Sequence, residues 1–283
     1  LSPELVASVE RFAEAIGRMD AQALETGLPE PPDVDPRWQS FAEYPREMAY
    51  VAYQRLCELA ARTAGQREMS QPRTLAQRML GQHQMAYRDL TGALVGVPDD
   101  MLDREPAPGE YSIRQTLSHM MMAESGFRIA IEWALEQRGA PGMSSDQFDS
   151  RDALIRSRDQ FPFDGDLASF RTTFAHVHGL AQEAFKDLSD AGLELPMVWW
   201  DGVMPIRDIM LFFNAHLREH TIQVDKTILG IGLTVTEGAR LARLLHRALG
   251  ECEAVLIGAQ ATTTQYHHDV EAQFALWNRV VAQ

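Results

Sequence analysis

Cysteine is almost missing from this chain of 283 residues. The two that occur, Cys57 and Cys252, are too few for a disulfide framework and too far apart for a CxxC pair, so a stapled scaffold and a cysteine knuckle are both excluded. They read as small buried hydrophobes. Runs of positive charge are missing too. Forty acidic residues face 26 basic ones for a net charge of -14, and the Lys and Arg side chains are scattered, usually beside an acid. Such a field repels a phosphate backbone, which argues against nucleic acid as a partner. No window approaches the roughly 18 uninterrupted apolar residues of a membrane helix. The opening stretch, LSPELVASVERFAEAIGRMD, carries acids where a signal peptide would carry a basic and then an apolar region. No membrane partner is expected, and the expected compartment is the cytoplasm. Strand signals, short repeats and low-complexity segments are also scarce.

What is present is helical periodicity. With 45% hydrophobic and 23% charged residues the composition is that of an ordinary globular protein, long enough for one or two domains. Apolar positions three and four apart mark residues 3–26 and 46–67, separated by GLPEPPDVDPRW, whose prolines cannot continue a helix. Four longer stretches follow at about 73–95, 112–138, 166–189 and 205–229. Segments rich in turn formers, such as REPAPGE and DAGLELPMVWWDG, lie between them. Two more helices are expected at 236–258 and 265–281. The pattern predicts an all-α protein, with an antiparallel four-helix bundle as the economical way to bury four amphipathic stripes. The bundle is expected over residues 72–232, with helical extensions at 1–71 and 233–283 that add a further layer or a homodimer contact.

The stretch FFNAHLREHTIQVDKTI places His216 and His220 on or beside the apolar stripe formed by Ile206, Ile209, Phe213, Leu217, Val224 and Ile228. Side chains four apart share one face of a helix, which suits two imidazoles reaching a single metal ion. A site with an open position wants about three protein ligands. The best third donor is His119, inward-facing with Thr116, Ala123 and Phe127. A histidine on an apolar face is more often a hydrogen-bonded core residue than a ligand, so the case rests on the three together. His83 and His178 also lie on inward stripes and read as core or pocket-wall residues, whereas His176, His246, His267 and His268 read as surface or helix-end residues. Trp199 and Trp200 suit either a ligand-site wall or a core plug, the second being commoner. HLREH also satisfies HxxEH, the inverted zinc-protease signature with Glu219 as general base. That class is built on a larger α/β chain, and no strand-rich scaffold precedes the motif here. Glu219 therefore reads as a carboxylate on the bundle rim, with a hydrogen bond to a ligating imidazole as its functional variant.

The pairing of EYSIRQTLSHMMMAE, ending in His119 and its successors, with IRDIMLFFNAHLREHTIQVDKT resembles the DinB-like superfamily of metalloenzymes over residues 72–232. The order of the three histidines and the trailing Gln223 carry the likeness. It implies a four-helix bundle in which His119, His216 and His220 bind a divalent metal, zinc or nickel being best suited to imidazole. Three neutral imidazoles leave such an ion its full charge and an open position for water or thiol. Some relatives are transferases or isomerases that use mycothiol, bacillithiol or glutathione. The resemblance therefore implies transfer of a low-molecular-weight thiol to a small electrophilic substrate. Two other classes stay open: a metal-dependent hydrolase of a small ester, amide or lactone, and a non-catalytic metal- or ligand-binding stress-response protein.

An acidic chain without a basic stripe cannot release the counterions that supply non-specific affinity. A gel-shift titration at physiological salt is expected to show no appreciable binding to duplex DNA; salt-sensitive micromolar binding would contradict the charge argument.

Overall fold

The computed structural model describes residues 1–28, 43–136, 163–199, 202–259 and 264–282. Helices dominate: α1 (Pro3–Gly17), α2 (Ala21–Leu24), α3 (Pro45–Ser70), α4 (Leu75–Ala93), a 3-10 turn (Asp99–Met101), α5 (Ile113–Glu136), α6 (Leu167–Phe185) and α7 (Asp190–Leu193). A two-stranded hairpin, β1 (Pro196–Trp199) and β2 (Gly202–Pro205), precedes α8 (Ile206–Gly230), α9 (Glu237–Ala254) and α10 (Gln265–Val281). The fold is all-α apart from this small hairpin. Among the described residues no helix is long and apolar enough to cross a membrane.

The helix starts follow from local chemistry. Ser112 and Gln115 form a reciprocal capping box at the head of α5: the Ser112 amide donates to Gln115 Oε1 at 2.8 Å and the Gln115 amide to Ser112 Oγ at 3.2 Å. Thr74 and Gln77 do the same for α4. Asp166 caps α6 by accepting from the Ser169 amide at 2.8 Å. At the other end of α8, Gly232 takes φ 85°, a left-handed conformation suited to glycine just beyond a helix.

Two expected elements come out differently. The helix expected over 3–26 stops at Gly17, because Asp20 caps a separate turn by accepting from the Ala23 amide at 2.8 Å. The turn-rich stretch before α8 holds a short helix and an antiparallel hairpin in which Met197 pairs with Met204 and Val198 with Val203. Trp200 lies outside the described residues.

The described chain forms two compact units. One comprises Leu1–Pro72, Gln84–Val97 and Leu233–Gln283, and the other Arg73–His83 and Pro98–Gly232. The two flanks thus belong to one unit that also takes the second half of α4. Within it α9 packs on α3 and α1, and α1 packs on α10. Phe12, Phe274 and Trp277 meet at ring-centroid distances of 5.0 to 5.8 Å in its core. Gly92 is needed there: a Cβ on it would stand 2.8 Å from the Cα of Arg243, so α4 and α9 approach backbone to backbone. Beside this contact Arg88, almost fully buried, donates to Glu253 at 2.6 Å and also pairs with Glu10. Asp89 accepts from Arg243 at 2.7 Å and Arg247 at 2.6 Å.

The second unit is a four-helix bundle built from the first half of α4 with α5, α6 and α8. Gln77 donates to the Lys186 carbonyl and Gln182 to the Leu80 carbonyl, so α4 and α6 run antiparallel. Thr227 reaches the Tyr111 carbonyl while Phe127 meets Phe213, so α5 and α8 are antiparallel as well. Arg114, at the head of α5, bonds the Gly165 carbonyl and stacks over Phe163, whereas Glu124 farther along meets His178. The pair α5 and α6 therefore runs in the same direction.

Removing the Arg88 guanidinium takes the arginine partner from Glu253, which is itself mostly buried and keeps the Gln84 amide as a donor. Breaking a buried pair from one side costs about 3 kcal/mol or more. The Arg88→Met variant is expected to lose about 3 kcal/mol in urea denaturation; a loss below about 1 kcal/mol would show that the pair contributes little.

Candidate metal centre

The heptad phase of α5 and α8 turns His119, His216 and His220 toward one another. His119 Nε2 and His216 Nε2 are 3.1 Å apart, and His220 Nε2 is also 3.1 Å from His216 Nε2. All three residues are half-buried and their donor atoms lie within 4.8 Å of one another, a spacing that could hold a metal ion. Zinc bonded to imidazoles at about 2.0–2.1 Å in tetrahedral geometry places its nitrogens about 3.3 Å apart. The observed separation is close to that. His220 Nδ1–H donates to Gln223 Oε1 at 2.7 Å, which fixes the proton on Nδ1 and leaves Nε2 with its lone pair facing the other two rings. Burial, with His220 and His119 alongside, lowers the His216 pKa to about 3 although Glu124 pulls the other way. Its ring is neutral at pH 7, as a metal ligand must be.

An aromatic wall backs these rings. Phe127 packs edge-on against His216 at 5.4 Å, and Trp199 packs on Phe127 at 5.4 Å. Trp199 is buried, so it serves the core and the wall of the site together. Glu219 is exposed on α8, and among the described residues it makes no bond to His216 or His220. It stands as a carboxylate on the bundle rim, and the hydrogen bond that supports a ring of the site comes from Gln223, which, one turn beyond His220, shares its face of the helix. Gln223 also lines a cleft of about 300 Å³ with Gly109, Glu110, Tyr111, Lys226 and Thr227, in which Lys226 Nζ pairs with Glu110 at 3.0 Å.

A second cluster lies wholly in the bundle core. His83 of α4, Glu124 of α5 and His178 of α6 are all buried, with donor atoms within 4.8 Å of one another, and this group too could hold a metal ion. His178 Nδ1 is 2.9 Å from Glu124 Oε1, and His83 Nε2 is 3.2 Å from Glu124 Oε2. Burial pushes the Glu124 carboxyl up, but His83 and His178 alongside it outweigh that and hold it down at about 2. Sequence reasoning placed His83 and His178 on inward stripes and missed Glu124. The signal was there: an acid in MMMAESGF, flanked by buried apolar residues, must find a partner inside.

The remaining histidines divide. His176 and His268 are exposed, as expected. His267 is a helix-end residue, as expected, though buried, and His246 is buried within α9, against expectation. The face of α9 that carries His246 is covered because α9 packs on two helices, and His267 is drawn in by bonding to Thr264 at the head of α10.

Residues 82–224 match the family model of the DinB superfamily, and the chain belongs to that superfamily. The matched span contains every donor of both clusters. No curated protein and no solved structure matches the chain.

The two clusters differ in what their loss should do to the metal-free protein. His178→Ala strands a buried carboxylate and is expected to cost roughly 3 kcal/mol. His220→Ala removes a half-buried ring and one hydrogen bond, for about 1 kcal/mol or less. Urea denaturation in the presence of a chelator measures both; equal losses would contradict the contrast.

Proposed function

We propose that the chain is a metal-dependent enzyme that uses a low-molecular-weight thiol on a small electrophilic substrate, with His119, His216 and His220 as the ligands of its ion. The observation that carries this reading is the convergence of three imidazole nitrogens, with a cleft lined by Gln223, the partner of His220, next to them. Zinc or nickel suits such donors. When bound, the ion would supply Lewis acidity, favouring the thiolate form of a small thiol or the ionised form of water at neutral pH.

The chain's own residues do the rest. Gln223 holds the His220 ring in the tautomer that presents Nε2. Phe127 and Trp199 close one side of the site to water. The cleft beside Gln223 is large enough for a small molecule, and Tyr111, Glu110 and Lys226 give it an apolar face and a polar rim. A protein thiol is a poor candidate for the nucleophile. Burial pushes the thiols of both Cys57 and Cys252 up, away from the thiolate form, and both belong to the other compact unit. That supports a thiol taken from solution.

His216→Ala and His220→Ala are each expected to lower the metal content, measured by elemental analysis after dialysis, by nearly one equivalent per chain. Gln223→Ala should weaken that ion's binding by about 10-fold or more, as loss of an orienting partner does. Undiminished metal in the His216→Ala, His220→Ala double variant would place the ligands elsewhere. Metal-loaded protein assayed with glutathione, mycothiol and bacillithiol against several electrophiles is expected to turn over only with thiol. Turnover confined to esters and lactones without thiol would replace this reading with a hydrolase, and silence in both sets with metal bound would replace it with a binding role.

A further inference from the structure

We propose that His83, Glu124 and His178 form a second cation site, separate from the three-histidine group, which takes a divalent first-row ion such as zinc through two imidazoles and one carboxylate.

The donors come from three different helices, α4, α5 and α6, so their positions are set by bundle packing and not by a loop. Their side chains are 1 to 5% exposed. Two imidazoles with a carboxylate are a donor set that binds divalent zinc and iron readily.

The hydrogen bonding of the cluster is incomplete without an ion. His83 Nε2 stands 3.2 Å from Glu124 Oε2, yet it is a buried polar atom with no hydrogen-bond partner, because its direction misses the carboxylate. An orphaned buried atom costs about 1–3 kcal/mol, so it calls for a missing participant. A cation among His83 Nε2, His178 Nδ1 and Glu124 supplies one.

The proposal stands apart from the three-histidine reading, and zinc stoichiometry separates them. Purified chain equilibrated with zinc and then desalted is expected to hold two equivalents. Glu124→Gln, close in shape to the wild-type side chain, and His216→Ala should each hold one, and the two combined none. Zinc should raise the melting temperature of His216→Ala but not of the combined variant, a readout that a purely hydrogen-bonded cluster would not give. Wild-type protein that holds one equivalent, unchanged by Glu124→Gln and lost with His216→Ala, overturns this proposal and leaves the three-histidine site intact. One equivalent lost with Glu124→Gln and kept in His216→Ala supports it and overturns the other.

Discussion

A carboxylate at the centre of the bundle constrains everything around it. Glu124 is fully enclosed, and an unpaired charge there would cost several kcal/mol. Its two oxygens face His178 and His83, so α5 is tied to α6 and α4 through a single side chain. That tie restricts the rotation of α5 about its axis. Once α5 is set, His119 five residues earlier faces α8, and the three-histidine group can assemble.

The two clusters use the same residue type for different ends. In the core, imidazoles compensate a buried negative charge. Between α5 and α8 the rings face one another: His216 Nε2 lies 3.1 Å from His119 Nε2 and from His220 Nε2, a spacing that a proton or a cation must bridge. Gln223 settles where the His220 proton sits, and it sits on the outer nitrogen. The half-burial of these rings and the adjoining cleft are what separate a group that can do chemistry from one that fixes a core.

Much of this was legible in the chain. Periodicity placed the long helices to within a few residues because their apolar stripes are regular. The HxxxH spacing brought His216 and His220 to one face for the same reason, and the inward phase of His119 named its partner. What was not legible depends on contacts distant in sequence. Nothing local to 1–71 or 233–283 says that these flanks pack together, since that follows from the shapes of α1, α3 and α9. The burial of His246 is of this kind. Glu124 was passed over because an acid is ordinarily a surface residue, and only three stripes read jointly reveal its partners. The parallel run of α5 and α6 was likewise hidden, since a bundle sequence states its faces and not its directions.

Family membership accounts for the bundle and brings every donor within one matched span. Anomalous diffraction at the zinc edge from crystals of zinc-loaded protein tests directly whether His119, His216 and His220 hold an ion. A peak about 2 Å from all three Nε2 atoms is expected. A zinc-loaded crystal with no peak among those nitrogens would contradict it.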